Sequence, residues 1–207
     1  MNLISKIPID FSMTNGEILK CNEYVKGVDK MLEWGAGGST LFFSSMVGKF
    51  VSIEDNREWY DKVKRHAKPN TEIYHVLTHK EKFDSELDEN ASVILHGDES
   101  WNSKHGGQLY YKDDGKILYW TTRGRMDWHC YMDYIKYPLE KLSYRDYDVI
   151  LVDGRARAMC AYNALHLLKK DGYLLIHDFN HRGYYHGILK WYNVIDTEGS
   201  LAVLTKK

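Results

Sequence analysis

Cysteine is scarce in this chain, whose 207 residues include only Cys21, Cys130 and Cys160. The three lie far apart and form neither a Cys-x-x-Cys pair nor a cysteine and histidine spacing typical of zinc. A small, odd number of cysteines indicates buried thiols in a reducing compartment. We therefore expect a cytoplasmic protein, or a domain excised from a larger protein that carries the targeting signal.

The sequence also lacks long apolar runs, a leader peptide and a large excess of charges of one sign. No apolar run approaches the ~20 residues that span a bilayer, and the first residues lack the basic, apolar and small-residue series of a secretory signal. The formal net charge is -1, so no overall field draws the chain to nucleic acid. These features favour a small molecule or a glycan as partner over nucleic acid or a membrane. They leave the oligomeric state open.

The N-terminal part of the sequence alternates between apolar segments and helical patterns. Strands are predicted at 30–34, 50–54 and 72–77, with helices that begin at Ser39 and Arg57 between them. This β-α-β-α-β order is typical of a parallel sheet.

The same alternation returns in the C-terminal part. An apolar segment at 147–154 predicts a strand that is buried on both faces. A helix is predicted over 156–169 and the next strand over 173–178. Two further strands, 191–196 and 200–204, flank a glycine-containing turn and predict an antiparallel hairpin.

Between these parts lies a polar and aromatic stretch, 78–146, where the alternation breaks. A strand is predicted at 92–96 and a hairpin from 108–111 and 117–120, which flank a glycine-containing turn. A helix is predicted over 126–142, interrupted near its proline. We interpret the stretch as an insertion into one domain that occupies the whole chain.

The most informative motif is the glycine-rich turn after the first strand. Glu33 precedes Gly35, Gly37 and Gly38, and a helix follows. Glycines let the backbone turn sharply and approach a ligand closely. An acid before the first glycine repels phosphate and suits a cationic amine, and the G-x-G-x-x-G spacing of dinucleotide enzymes is not met. The alternative is a structural turn without a ligand.

A second motif, Glu54-Asp55, ends the second strand. An acid about 20 residues after such a turn can accept hydrogen bonds from both hydroxyls of a ribose. The alternative is an acid at a strand end that faces solvent.

Acidic residues also end the fourth and fifth strands. Asp153 should face a ligand at the carboxyl edge of the sheet, or cap the helix near Ala156. His177 and Asp178 end the next strand. His177 could act as a general base, or Asp153 and Asp178 could hold a Mg²⁺-like ion. In a third interpretation His177 packs in the sheet and Asp178 caps a turn.

These motifs resemble the class I S-adenosylmethionine-dependent methyltransferases, and more closely small-molecule and sugar O-methyltransferases. The similarity covers 31–77 and 147–204, and not the insertion. It implies an α/β, Rossmann-like fold with a mostly parallel seven-stranded sheet that ends in an antiparallel C-terminal hairpin, a feature that dehydrogenases lack. It implies S-adenosyl-L-methionine as cofactor. The donor contacts expected are Glu33, Gly35, Ala36, Gly37, Gly38, Ser39, Thr40, Glu54, Asp55 and Asp153.

The chain is also similar to metal-dependent catechol and sugar O-methyltransferases, whose acids after the fourth and fifth strands hold the ion. Asp153 and Asp178 match those positions and imply Mg²⁺ or Mn²⁺. Phe179 stands where catechol-type enzymes supply a further oxygen ligand, which Asn180 or His181 would have to replace. The sequence therefore leaves open a metal site and a metal-free base, with Asp153, His177 and Asp178 as catalytic candidates.

The acceptor should be recognised by the aromatic-rich insertion and by 181–190. Flat aromatic rings beside fixed polar groups suit a carbohydrate, which has apolar faces and a rim of hydroxyls. We expect Trp120, Arg155 and His181 to contact it. No Asn-Pro-Pro-Tyr-like tetrapeptide follows the fourth strand, which disfavours amino-methylation of nucleobases or glutamine. The alternatives are a phenol or other small molecule, and an inactive methyltransferase-like binding module.

Overall fold

The computed structural model describes residues 7–9, 11–78, 91–94, 108–112, 117–121 and 131–207. Its strands are β1 (Lys30–Trp34), β2 (Lys49–Glu54), β3 (Thr71–His75), β4 (Ala91–Ile94), β5 (Gln108–Lys112), β6 (Ile117–Thr121), β7 (Tyr147–Val152), β8 (Leu168–Ile176), β9 (Tyr192–Glu198) and β10 (Leu201–Lys206). Its helices are α1 (Asn15–Val25), α2 (Gly38–Phe43), α3 (Arg57–Lys64), α4 (Met132–Glu140) and α5 (Arg157–Ala164), with a 3-10 helix at Gly183–Lys190.

Seven strands form one sheet in the order β3-β2-β1-β7-β8-β10-β9. The first five are parallel, and β10 is antiparallel to both β8 and β9. This confirms the expected fold, including the antiparallel C-terminal hairpin. Because β1, β2, β7 and β8 run in one direction, their carboxyl ends meet at one edge of the sheet, where ligands of such folds bind.

Two apolar layers cover the faces of this sheet. Leu32 of β1 and Ile150 of β7 pack with residues of α4 and α5 on one face. Met31 and Leu151 face the other way and pack with α1 and α2. The alternation follows from the two-residue period of a strand. Both faces are covered, which explains why the central strands are apolar throughout.

The first helix is joined to the C-terminal hairpin by polar contacts. Thr14 and Glu17 form a capping box at the start of α1. The Glu17 Oε1 atom also accepts from the Ser200 backbone N–H at 2.8 Å and from its hydroxyl at 2.6 Å. Farther along α1, Lys20 and Tyr24 each lie 2.9 Å from the Asp196 carboxylate in β9. The helix is thereby fixed against β9 and the β9–β10 turn.

The predicted helix over 156–169 is wrong at its C-terminal end. The helix α5 stops at Ala164, and β8 already begins at Leu168, which pairs with Tyr147. Gly172 lies within β8, where the register with β7 shifts. An apolar run such as Leu167-Leu168 fits a helix or a strand. Pairing with β7 places Leu168 in a strand.

Proline does not interrupt α4, contrary to the prediction. Pro138 lies inside the helix and has no N–H to donate to the carbonyl of Tyr134. The Trp34 indole N–H donates to that carbonyl instead, at 3.1 Å. The orphaned acceptor is therefore satisfied from β1, which makes proline tolerable there. The predicted first turn of this helix, 126–130, lies outside the described residues.

The insertion contributes a three-stranded antiparallel sheet in the order β4-β5-β6. Its β5–β6 pairing confirms the predicted hairpin, and β4 overlaps the strand predicted at 92–96. The turn 113–116 and the stretches 79–90, 95–107 and 122–130 of the insertion lie outside the described residues. Among the helices of the described ranges, none is long and apolar enough to cross a membrane.

Candidate functional site

A cavity of about 640 Å³ opens at the carboxyl edge of β1, β2 and β7. This volume suits a ligand of nucleoside size or somewhat larger. The residues that line it are Phe11, Ser12, Met13, Gly35, Ala36, Gly37, Gly38, Ser39, Glu54, Asp55, Asn56, Glu58, Trp59, Lys62, Asp153, Gly154, Arg155 and Arg157. Nine of the residues predicted from sequence are among them: Gly35, Ala36, Gly37, Gly38, Ser39, Glu54, Asp55, Asp153 and Arg155.

The floor of the cavity is a close crossing of two glycines. Gly35 has a φ of +102°, and a Cβ atom there would lie 2.6 Å from the Cα of Gly154. The turn after β1 therefore requires glycine for its conformation and for space. The Gly35 N–H donates to the Ile53 carbonyl at 2.8 Å, so the turn is fastened to β2.

Glu33 lies beneath this turn, fully buried and outside the cavity lining. Its carboxyl group accepts hydrogen bonds from Ser39 at 2.5 Å, from Ser52 at 2.9 Å and from Thr40. Burial outweighs these hydroxyl donors and raises the pKa of Glu33 to about 8. Thr40, also fully buried, accepts in turn from the Gly37 N–H at 2.9 Å. The geometry thus gives Glu33 and Thr40 a place in shaping the turn and does not support the direct donor contact expected of them.

Glu54, in contrast, reaches the cavity. It is 5% exposed, and its two oxygens accept from the backbone N–H groups of Ala36 and Asn56, each at 2.8 Å. Burial raises its pKa to about 7 against the lowering effect of these bonds. The interpretation of a strand-end acid in solvent is therefore wrong for Glu54. Asp55 also lines the cavity.

One wall of the cavity comes from α3. The Trp59 indole N–H donates to the Ala36 carbonyl, which fixes the ring beside the glycine turn. The Lys62 ammonium group lies 4.7 Å from the centre of that ring. No motif in the sequence marked Trp59 as part of a site. A large amphipathic ring one turn after the Glu54-Asp55 motif was the signal that could have identified it.

Asp153 enters the cavity from the end of β7, with its side chain 10% exposed. Its Oδ1 atom lies 2.8 Å from His177 Nδ1 and 3.2 Å from Arg157 Nη2. Its Oδ2 atom accepts from the Ser12 hydroxyl at 2.5 Å. Burial alone would raise the pKa of Asp153, but the His177 hydrogen bond and the Arg157 charge lower it below its ordinary value. Asp153 is therefore an ionised acid at the cavity wall.

His177, the candidate base, is not among the residues that line the cavity. It is buried. Its Nδ1 atom lies 2.8 Å from Asp153 Oδ1, and its Nε2 atom lies 3.5 Å from the Glu17 carboxylate. Burial would lower its pKa, but the Asp153 hydrogen bond and charge outweigh burial and raise it. His177 is thus held between two acids, behind Asp153 as seen from the cavity.

Asp178 is also turned away from the cavity. It has a φ of +61°, a conformation that aspartate tolerates better than most residues. Its Oδ2 atom lies 3.1 Å from Arg157 Nη1 and 2.8 Å from Arg182 Nη2. Asp178 therefore pairs with two guanidinium groups.

The expected metal site does not fit this arrangement. Within the described part of the chain, no three histidine, cysteine, aspartate or glutamate side chains come together as a metal site needs. Arg157 lies between Asp153 and Asp178, whose carboxylates it binds. Phe179 is buried, and the Asn180 amide donates to the backbone carbonyls of the β9–β10 turn. Asn180 is therefore held at that turn by its amide nitrogen.

The three residues expected to contact the acceptor have different outcomes. Arg155 is exposed and lines the cavity. His181 is exposed but lies outside the lining. The side chain of Trp120, in β6, lies outside the described residues. The cavity also receives Phe11, Ser12 and Met13 from the segment before α1, which no pattern in the sequence marked.

No family model matches the chain, and no curated protein matches it in sequence. Solved structures do match. A methyltransferase-like protein from Silicibacter pomeroyi is 22% identical over 97% of this chain and 90% of its own, with a TM-score of 0.65. A TehB-like SAM-dependent methyltransferase from Corynebacterium glutamicum is 15% identical over 95% and 89%, with a TM-score of 0.50. A precorrin 8W decarboxylase from Methanobacterium thermoautotrophicum is 11% identical over 96% and 93%, with a TM-score of 0.52.

These likenesses show the fold. The chain has the Rossmann-like architecture of the class I S-adenosylmethionine-dependent methyltransferases, as its sequence predicted.

Proposed function

We propose that this chain is an S-adenosylmethionine-dependent methyltransferase that transfers the methyl group to a hydroxyl group of a carbohydrate. The observation that carries the donor part is the cavity at the carboxyl edge of the sheet, where the glycine turn and the inward-facing Glu54 meet. We further propose that it acts as one domain, with 78–146 as an insertion, and that it works in the cytoplasm.

The proposed donor site follows from the chemistry of the lining. Glu54 is the acid that accepts hydrogen bonds from the ribose hydroxyls. Trp59 offers the flat face on which a purine ring can stack. The backbone of Gly37 and Gly38 allows the close approach that the rest of the donor requires. Asp153, at the opposite wall, is an anion for the positively charged end of the donor.

Bound S-adenosylmethionine supplies an electrophilic methyl group, so the protein has to align the acceptor and remove its proton. Alignment supplies much of the rate enhancement in such a reaction. The acceptor oxygen forms the new bond to the methyl carbon, the carbon–sulfur bond breaks, and the hydroxyl proton leaves. Asp153 is the carboxylate that faces the cavity, and we assign to it the acceptance of that proton.

The carbohydrate acceptor is proposed from composition and from the rim of the cavity. Arg155 and Lys62 are exposed there and can donate hydrogen bonds to sugar hydroxyls. The insertion is rich in tyrosine and tryptophan, whose flat faces suit sugar rings. Trp120 and His181 remain predictions as acceptor contacts.

Calorimetric titration with S-adenosylhomocysteine tests the donor part. We expect micromolar binding to the wild type and a loss of about 10- to 100-fold in Glu54→Gln, because charged hydrogen bonds contribute about 1.5–3 kcal/mol. Glu23→Gln is the matched control, since that side chain is 59% exposed on α1. Failure of the wild type to bind S-adenosylhomocysteine under any condition would overturn the proposal.

Transfer of a labelled methyl group from the donor tests the acceptor part. A panel of oligosaccharides, phenols and nucleic acids should give product with oligosaccharides. Product with phenols alone would favour the small-molecule alternative. Donor binding without turnover on any acceptor would favour an inactive binding module.

A further inference from the structure

Arg157 is the most completely bonded side chain of the site. It is 9% exposed and is the first residue of α5. Its Nε atom donates to the Gly154 carbonyl at 3.0 Å and its Nη2 atom to the Asp153 carbonyl at 2.9 Å. Its Nη1 atom donates to the His177 carbonyl. These backbone contacts are enough for the guanidinium group to join the carboxyl ends of β7 and β8.

The same group also binds the two acids that match metal ligands in the enzymes the chain resembles. Nη2 lies 3.2 Å from Asp153 Oδ1, and Nη1 lies 3.1 Å from Asp178 Oδ2. A Mg²⁺ ion needs oxygen ligands at about 2.0–2.1 Å in octahedral geometry. An ion at that distance from both oxygens would have to occupy space that the guanidinium group fills.

The charges of the two acids and of the arginines that bind them lead to the same conclusion. The two carboxylates are balanced by Arg157 and by Arg182, which lies 2.8 Å from Asp178. A guanidinium group does not lose its proton in a protein. A divalent cation would therefore place two further positive charges beside a buried, permanent one.

We propose that Arg157 replaces the divalent cation of metal-dependent relatives, as a fixed internal cation that holds Asp153 toward the cavity. This rests on the proposed function for its meaning in catalysis. Arg157 is then a positioning residue, and the site needs no added metal. The Asp153–Asp178 pair becomes available to a metal only when the guanidinium group is removed.

Titration with Mn²⁺, followed by the loss of the free-ion signal in electron paramagnetic resonance, tests the exclusion directly. We expect the wild type and Arg157→Lys to bind no more Mn²⁺ than Asp178→Asn does. We expect Arg157→Ala to gain a site with at least 10-fold higher affinity, which the double variant Arg157→Ala/Asp178→Asn lacks. The gain of a metal site is a change that a merely structural role for Arg157 would not produce.

Opposite results would overturn the inference. A stoichiometric Mn²⁺ site in the wild type that Asp178→Asn abolishes would show that the guanidinium group does not exclude metal. A folded Arg157→Ala, judged by circular dichroism, that gains no Mn²⁺ site would do the same. If Arg157→Ala does not fold, the wild type and Arg157→Lys decide alone.

The donor titration separates this inference from the proposed function. Equal S-adenosylhomocysteine affinity in EDTA and in Mg²⁺ is the expected result. Binding that requires Mg²⁺ would overturn the role of Arg157 and leave the methyltransferase proposal intact. Absence of donor binding in both buffers would overturn the proposed function, while the Mn²⁺ titration would still decide whether Arg157 excludes a metal.

Discussion

Glu33, which is fully buried, and Asp153, whose side chain is 10% exposed, are two acids at the ends of neighbouring strands, yet their surroundings differ in kind. Glu33 is surrounded by three hydroxyl groups, and burial raises its pKa to about 8. Asp153 meets an imidazole and a guanidinium group, which together lower its pKa despite burial. Hydroxyl dipoles do not compensate a buried charge as opposite charges do.

This difference separates an acid beneath the cavity from one that lines it. Glu33 tends to be neutral near pH 7 and fixes the turn beneath the cavity. Asp153 stays charged and faces the cavity. Burial of an acidic residue after a strand therefore does not indicate its role; the partners on the following helix and strand do.

The largest loss of stability should come from removing the negative charge that Arg157 and His177 share. Asp153→Asn leaves Arg157 and His177 buried without their shared anion, which we expect to cost about 3–5 kcal/mol of unfolding free energy at pH 7. Glu33→Gln should cause no loss at pH 7, because the neutral amide avoids the protonation that folding imposes on Glu33 there and hydroxyl groups can donate to or accept from it. Urea denaturation of both variants measures the contrast. Equal losses would show that the two surroundings are equivalent.

The pH dependence of stability should sharpen the comparison. The pKa of Glu33 is about 8 in the folded state against an ordinary value of 4.5. The folded state therefore holds the extra proton between these values, and stability falls as pH rises from about 4.5 to 8. Relative to Glu33→Gln, the wild type should lose on the order of a few kcal/mol between pH 5 and pH 8. A difference that stays constant over this range would mean that Glu33 is ionised throughout.

The next largest loss of stability should come from adding a side chain where Gly35 crosses Gly154. Gly35→Ala places a methyl group 2.6 Å from Gly154 Cα at a φ of +102°, and we expect a loss of about 3 kcal/mol. Gly27→Ala is the matched control, because its φ is +80° but nothing lies within 4 Å of the added Cβ. It should lose only the cost of the conformation, about 1 kcal/mol. Melting temperatures check both, and similar shifts would mean that the crossing can relax.

The smallest effect should be a gain. Ala156 precedes α5 with a φ of +48°, a conformation that costs alanine about 1 kcal/mol. Ala156→Gly should therefore stabilise the protein by about 0.5–1 kcal/mol, and leave Arg157 in place. Ala158→Gly, inside the same helix, should destabilise it by about 1 kcal/mol. Chemical denaturation distinguishes them, and destabilisation by both would contradict strain at Ala156.

The sequence predicted the features that depend on local patterns. Strand and helix periodicity located β1, β2, β7 and α3 within a few residues, and the rule that parallel strands share a carboxyl edge brought Glu54 and Asp153 to one cavity. Both follow from geometry that the chain carries locally.

What the sequence did not predict depends on contacts between distant segments. The three hydroxyl groups around Glu33 come from α2 and β2, and only packing shows that they use up its carboxyl oxygens. Arg157 carries no local mark that separates it from the exposed Arg155 two residues earlier. The segment of Phe11, Ser12 and Met13 reaches the cavity only through the tertiary fold.

The fastening of α1 to the C-terminal hairpin has a consequence for folding kinetics. Glu17 bonds to Ser200 across 183 residues, and Lys20 bonds to Asp196 across 176. Contacts of such large sequence separation slow folding, because the chain between them must be ordered first. During synthesis α1 emerges early but cannot complete its contacts until the β9–β10 hairpin has been made. Glu17 and Lys20 therefore stay without these partners until that hairpin forms.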